Sequence, residues 1–294
     1  MYKYNHILLG GTGFIGAELA LALQERDGGV LAVGRQTEGV LPRGVLFKEV
    51  ELTNEGGVES VIYPTKNISI LLGQNYQNFD KAKELELLHR IVTVLNSLDV
   101  PTRVFYFSSA LVYGDTFEPA SEDGIPQPVD VYSQFKYEAE QLLQEALAKK
   151  HQLRILRLAN VYGSPKNKGF IGLLMKSVSS KMPFTLNGGG LQERDYMYID
   201  DIVGAILAIS ENQNESQCEV INIATGVSST LNQVVATMQE LLVSPIEYLI
   251  NDMVPQEVKV SRIDNKKLRD TYQYAVQFPL KEGLQRTWEK YQLH

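Results

Sequence analysis

The segment Ile7-Leu8-Leu9-Gly10-Gly11-Thr12-Gly13-Phe14-Ile15-Gly16 constrains this chain more than any other. The apolar run reads as a strand, and the glycines that end it open a helix that continues through about Gln24. The pattern is G-x-x-G-x-x-G, with Gly10, Gly13 and Gly16 at the spaced positions. Glycine permits the tight turn and lets backbone N–H groups approach a pyrophosphate with no Cβ in the way. The helix N-terminus adds partial positive charge. At a first βα turn this arrangement suits a dinucleotide, and Gly10, Gly13, Phe14, Ile15 and Gly16 are its candidate contacts.

The rest of the first half fits that beginning. Val30-Val33 reads as a second strand and Ile68-Leu72 as another short apolar run. Lys81 to Leu98 is helical, with Leu85, Leu88, Val92 and Leu95 on one face. Val104-Phe107 is a strand, Tyr132 to about Lys149 a helix, and Arg154-Leu158 a strand again. This alternation predicts an α/β fold, a Rossmann-type doubly wound parallel sheet. After Val161 the rhythm breaks at Pro165, Gly169, Pro183 and Gly188-Gly189-Gly190. Asp200 and Asp201 are expected to cap a helix from Ile202 to Ile209, and Val220-Ile223 to add a final sheet strand. The expected division is a dinucleotide-binding domain of 1–163 plus about 196–225. A smaller C-terminal α/β substrate-binding lobe would take about 164–195 and 226–294.

Composition narrows the partners. A net charge of −7 over 294 residues argues against nucleic acid. The single cysteine, Cys218, excludes an intrachain disulfide, fits a reducing compartment and reads as packing just before a strand. The N-terminus carries no signal-peptide pattern, and no segment is apolar for long enough to span a bilayer, so a cytoplasmic protein is expected. His6, His89, His151 and His294 are scattered without metal-ligand spacing, and no metal is expected.

Three further segments carry chemistry. About 20 residues past the glycines, where a carboxylate would hold the ribose hydroxyls of NAD, stand Gly34 and Arg35. A guanidinium there can pair with a 2′-phosphate, so NADP is favoured over NAD. Tyr132-Ser133-Gln134-Phe135-Lys136 then puts a phenol and an ammonium at i and i+4 on one helical face. A free tyrosine titrates at about 10. A neighbouring cation stabilises the phenolate, so the pair can take a proton from an alcohol or return one. Phe107-Ser108-Ser109-Ala110-Leu111-Val112-Tyr113-Gly114 follows a strand end, where open α/β sheets bind ligands.

Taken together these segments resemble the extended short-chain dehydrogenase/reductases of the NAD-dependent epimerase/dehydratase family. The resemblance extends through Arg157-Leu158-Ala159-Asn160-Val161-Tyr162-Gly163, Gly190 to Asp201, Asn222 to Gly226 and Glu282-Gly283-Leu284. It implies a triad of Ser109, Tyr132 and Lys136, with Lys136 holding the nicotinamide ribose. It implies that Leu72, Gly73, Ser108 and Leu158 line the cofactor, and that Ser109, Asn160 and Arg194 meet a nucleotide-linked sugar.

Four departures stand out. Ala110-Leu111 replaces the Asp-Glu of the sugar dehydratases, which argues against dehydration. Val254-Pro255-Gln256-Glu257 lacks the arginine that many nucleotide-sugar epimerases carry before an acidic residue. Leu9 replaces the usual threonine, and Leu72-Gly73 the usual Ala-Ala. The implied activity is epimerisation through a transient 4-keto sugar. The alternatives are an NADPH-dependent 4-ketoreductase of a nucleotide sugar or other carbonyl, and a non-catalytic NADP-binding regulator. The resemblance also suggests a homodimer through helices 81–98 and 133–149, for which Leu87 and Ile91 would be spare apolar positions.

Overall fold

The computed structural model describes residues 2–35, 43–73, 79–147, 149–251 and 258–292. The segment Val254-Pro255-Gln256-Glu257 and His294 lie outside the described residues. In chain order, the elements begin with β1 (Tyr4–Leu9), α1 (Phe14–Arg26), β2 (Val30–Gly34), β3 (Leu46–Glu49), β4 (Thr65–Ile70), α2 (Lys81–Ser97) and β5 (Arg103–Ser109). They continue with β6 (Thr116–Ala120), α3 (Val131–Leu147), β7 (Gln152–Leu158), β8 (Asn160–Tyr162), α4 (Phe170–Ser180), β9 (Phe184–Asn187), β10 (Glu193–Tyr198) and α5 (Ile199–Glu211). The last are β11 (Cys218–Ile223), β12 (Ser228–Thr230), α6 (Leu231–Leu242), β13 (Tyr248–Asn251), β14 (Ser261–Ile263), α7 (Lys266–Asp270) and α8 (Leu280–Gln292).

These elements pack as two compact units. The first holds Met1–Ser109, Val131–Arg157 and Glu211–Ile221, and the second Ala110–Asp130, Leu158–Ser210 and Asn222–His294. The first is built on a seven-stranded sheet in the order β11-β7-β5-β4-β1-β2-β3. Its pairs β1–β2, β1–β4, β2–β3 and β4–β5 are parallel. The chain runs outward from β1 to β3 on one side and from β4 to β11 on the other. The strand order therefore reverses between β1 and β4, where doubly wound sheets take their ligands.

Fully buried strands explain the run-like sequence: Ile7, Leu8, Leu9, Val30, Ala32, Val33, Ile68 and Ile70 have no solvent exposure. Against one face of the sheet lie α2 and α3. Leu88, Val92 and Leu95 are buried there as their spacing requires, and Leu87 and Ile91 are buried with them. The two apolar positions offered for a dimer contact are thus inside the unit. Glu86, His89, Thr93, Gln134 and Gln141, on the outward side of the two helices, are polar and exposed.

In the second unit β12-β10-β8 form a three-stranded sheet, β13 pairs with β9, and β14 with β6. Each of these strands is only three to six residues long, too short for a clear period-two pattern. Two aspartates hold this unit together. Asp195 is buried and accepts hydrogen bonds from Thr225 N, Thr225 Oγ1 and Gly226 N. Asp201 is buried and accepts from Tyr274 Oη, Gln277 N and Phe278 N, which fastens the C-terminal segment. The expectation that Asp200 and Asp201 cap a helix is corrected: α5 begins at Ile199, so both lie within its first turn. Cys218 is the first residue of β11, not the residue before it, and is half-buried. No helix among the described residues is long and apolar enough to cross a membrane.

The glycine turn is fixed by contact. A Cβ on Gly16 would lie 2.3 Å from the Gly10 carbonyl oxygen, and one on Gly10 would lie 2.9 Å from that of Leu71. Both neighbours are backbone and cannot rotate away. Gly16→Ala should therefore lower folding stability by about 1–3 kcal/mol, the usual cost of overpacking. Urea unfolding measures it, and an unchanged midpoint would contradict this packing.

Candidate active site

In the first unit, the glycine turn, the end of β4 and the end of β5 come together at one edge of the sheet. Gly10 N donates to Val33 O, and Gly10 abuts Leu71. The helix that follows has Gly13 at its N-cap, with no side-chain cap bond and no acidic residue in the first turn. Its leading N–H groups are left at the turn without a carboxylate, and glycine at 10 and 16 lets the turn close tightly on Leu71 and on itself. That fits a pyrophosphate, held by the backbone of Gly13, Phe14, Ile15 and Gly16.

Lys136 ties α3 to the same edge. It has no solvent exposure, and its Nζ donates to the carbonyl oxygens of Leu72 (2.9 Å) and Phe107 (2.7 Å). The first acceptor follows β4; the second stands two residues before Ser109, the last residue of β5. The ammonium lies 5.7 Å from the centre of the Tyr132 ring and 5.1 Å from that of Tyr106. Tyr132 is half-buried, its ring edge-on to Phe79, which packs in turn on Phe135. Thus Tyr132, Lys136, Leu72, Gly73 and the Ser108-Ser109 strand end share one neighbourhood beside the glycine turn.

A buried network missed in the sequence backs the site. Ser108 Oγ donates to Glu140, which also accepts from Arg157 Nε (3.1 Å) and Nη2 (2.7 Å). Ser108, expected beside the cofactor, thus turns its hydroxyl toward α3. Glu140 follows Lys136 by one helical turn, so Tyr132, Lys136 and Glu140 run along one face at i, i+4 and i+8; the spacing was legible. Burial pulls Lys136 down to about 7, while Glu84 and Glu140 push it back up.

Arg35 is exposed at the end of β2, where Gly34 pairs with Glu49 of β3. Arg35, Glu49, Val50 and Glu51 line a cavity of about 600 Å³. A Cβ on residue 34 would fall 2.1 Å from Thr12 Oγ1, so a side chain there would collide with that of Thr12 in the glycine turn. In the second unit Leu158 is buried, and Asn160 pairs with Tyr196 across β8 and β10. Arg194, two residues before Tyr196, shares that face. It is buried, with Nη1 donating to the carbonyl oxygens of Glu193 and Lys259. Among the described residues no group of three or more His, Cys, Asp or Glu side chains is placed to hold a metal ion.

The profile of the NAD dependent epimerase/dehydratase family matches residues 6–224. The chain is 26% identical over 306 residues to a putative UDP-glucose 4-epimerase of Methanocaldococcus jannaschii, covering 97% of this chain and 98% of that protein. It is 24% identical to a dTDP-4-dehydro-6-deoxyglucose reductase of Escherichia coli, with 81% of each covered. Among solved structures, UDP-glucose 4-epimerase from Thermotoga maritima with UDP-glucose superposes with a TM-score of 0.85 at 26% identity, covering 98% of this chain and 99% of that one. UDP-glucuronic acid 4-epimerase from Bacillus cereus, in complex with UDP-glucuronic acid and NAD, shares the fold with a TM-score of 0.88 at 21% identity, covering 98% and 99%. The chain belongs to the NAD dependent epimerase/dehydratase family and is an enzyme of the extended short-chain dehydrogenase/reductase type.

The position of Lys136 has a thermodynamic consequence. Its folded value of about 7 lies below its ordinary 10.5. Between those values the unfolded chain keeps a proton that the folded chain releases, so this group makes stability rise with pH from about 7 toward 10.5. Lys136→Met should remove that contribution. The difference in unfolding free energy, wild type minus variant, is expected to climb through this window; a flat difference would mean that Lys136 stays charged throughout.

Proposed function

We propose that the protein epimerises a nucleotide-linked sugar at C4, with Tyr132 as the acid and base. The observation that carries this reading is the Lys136 ammonium, bonded to Leu72 O and Phe107 O beside the Tyr132 ring. A bound nicotinamide would supply the acceptor and donor of hydride. Tyr132 takes the C4 hydroxyl proton as the C4–H bond breaks, leaving a 4-keto sugar, and returns it after the ketone has presented its other face. Lys136 favours the phenolate through its charge. Ser109 hydrogen-bonds the reacting oxygen and orients it. Ala110-Leu111 supplies no acid/base pair for dehydration.

The second reading is an NADPH-dependent 4-ketoreductase, favoured by Gly34 and Arg35. Glycine at 34 leaves no carboxylate to repel a 2′-phosphate, and Arg35 can pair with one. The non-catalytic alternative is weakened by the retention of both Tyr132 and Lys136.

Tyr132→Phe separates enzyme from regulator. Turnover of a nucleotide sugar should fall by roughly 10²–10⁴-fold, the worth of a positioned acid/base; full turnover in the variant would overturn the assignment. Cofactor choice is read by titration calorimetry. Arg35→Ala should weaken NADP(H) by roughly tenfold or more, the worth of a hydrogen bond to a charged group, and leave NAD(H) nearly unchanged. Equal losses for both would refute the role given to Arg35.

A further inference from the structure

Building on the reading of Tyr132 and Lys136 above, we propose that Glu84 is a positioning residue of this site: its carboxylate, set against the Leu72-Gly73 turn, keeps Lys136 in its ammonium form. Glu84 stands half-buried in the first turn of α2. Its Oε2 lies 3.6 Å from the point a Cβ on Gly73 would occupy, and the preceding carbonyl, Leu72 O, receives Lys136 Nζ at 2.9 Å. The adjacent residues Leu72 and Gly73 therefore lie close to both the anion and the cation. Gly73 adopts φ +80°, and a side chain there would also strike Phe135, at 2.7 Å. Glycine at 73 lets Phe135 close on the turn while leaving it open to Glu84.

Of the other charged and titratable groups around Lys136, only Glu140 acts in the same direction as Glu84, and it ranks behind Glu84. Glu140, on α3, is shared between Ser108 and the Arg157 guanidinium of β7, so its charge is already balanced. Tyr106 of β5 is buried, its hydroxyl has no hydrogen-bond partner among the described residues, and burial drives its titration upward. Tyr132 shares the helix with Lys136. Arg35 acts on Glu84 in the same sense as Lys136, while Asp80 and Glu51 oppose both. No hydrogen bond or ion pair holds the Glu84 side chain among the described residues. Burial raises Glu84 while Lys136 lowers it, and Glu84 is the foremost group raising Lys136. The two charges sustain each other across the turn. Helix capping does not account for Glu84, because Asp80 already accepts from Lys83 N at that end.

The test is an NMR pH titration of the full-length protein carrying ¹³C-labelled lysine, with the Lys136 signal identified by its loss in Lys136→Met. The wild-type midpoint should lie near 7. In Glu84→Gln it should fall by about 1 pH unit, in keeping with the loss of a nearby opposite charge. Glu84→Asp, which keeps the charge, should stay near wild type. The alkaline limb of turnover should move to lower pH in Glu84→Gln by a similar amount. An unmoved Lys136 midpoint in folded Glu84→Gln overturns the proposal; should that variant fail to fold, Glu84→Leu is read in the same way. The two failures are distinct. A Tyr132→Phe variant with full turnover sinks the proton-transfer reading and leaves the Lys136 midpoint where it was. An unmoved midpoint sinks the role of Glu84 while Tyr132→Phe remains inactive.

Discussion

An ammonium group shut away from water must find acceptors or lose its proton. Lys136 finds two, both backbone carbonyls: Leu72 just past β4, and Phe107 near the end of the adjacent parallel strand β5. Backbone acceptors cannot rotate away, so the lysine is aimed by the sheet itself. This bond pair fastens α3 to β4 and β5, and through the contact of Gly10 with Leu71 it stands beside the glycine turn. The spacing between an anion cradle and a proton-handling side chain thus follows from the sheet register. A change that loosens either strand end moves both.

Buried charge elsewhere is paired as well. Glu140 and Arg157 are almost wholly excluded from solvent yet satisfy each other through paired N–H···O bonds. Removing one alone would strand the other, which is typically costly by about 3–5 kcal/mol. In the second unit Asp195 is pushed up to about 6 by burial, held down from going higher by donors from Thr225, Gly226 and Val227. Such groups fix loops that the hydrophobic pattern leaves undetermined.

The α/β class, the glycine turn and the Tyr132-Lys136 face were legible because each is local: a run, a turn chemistry, a helical spacing. Glu140 was legible by the same spacing and was passed over. Gly34 was read as an invitation to a phosphate; the structure adds that Thr12 occupies the space its side chain would need. Glu84 was not legible, because its meaning depends on a turn more than ten residues away in sequence and on a lysine on another helix. Leu87 and Ile91 misled for a related reason: a helix lying between a sheet and a second helix buries more than one stripe. The short strands β8, β9, β12, β13 and β14 carry too few residues for a period-two signal to emerge.

The most direct measurement is a crystal structure with NADP or NAD bound. The pyrophosphate should sit on the N–H groups of the Gly13-to-Gly16 turn. The nicotinamide riboside should lie within hydrogen-bonding reach of both the Lys136 ammonium and the Tyr132 hydroxyl, with Lys136 still bonded to Leu72 and Phe107. A dinucleotide seated on the glycines with its nicotinamide end turned away from Tyr132 would contradict this arrangement.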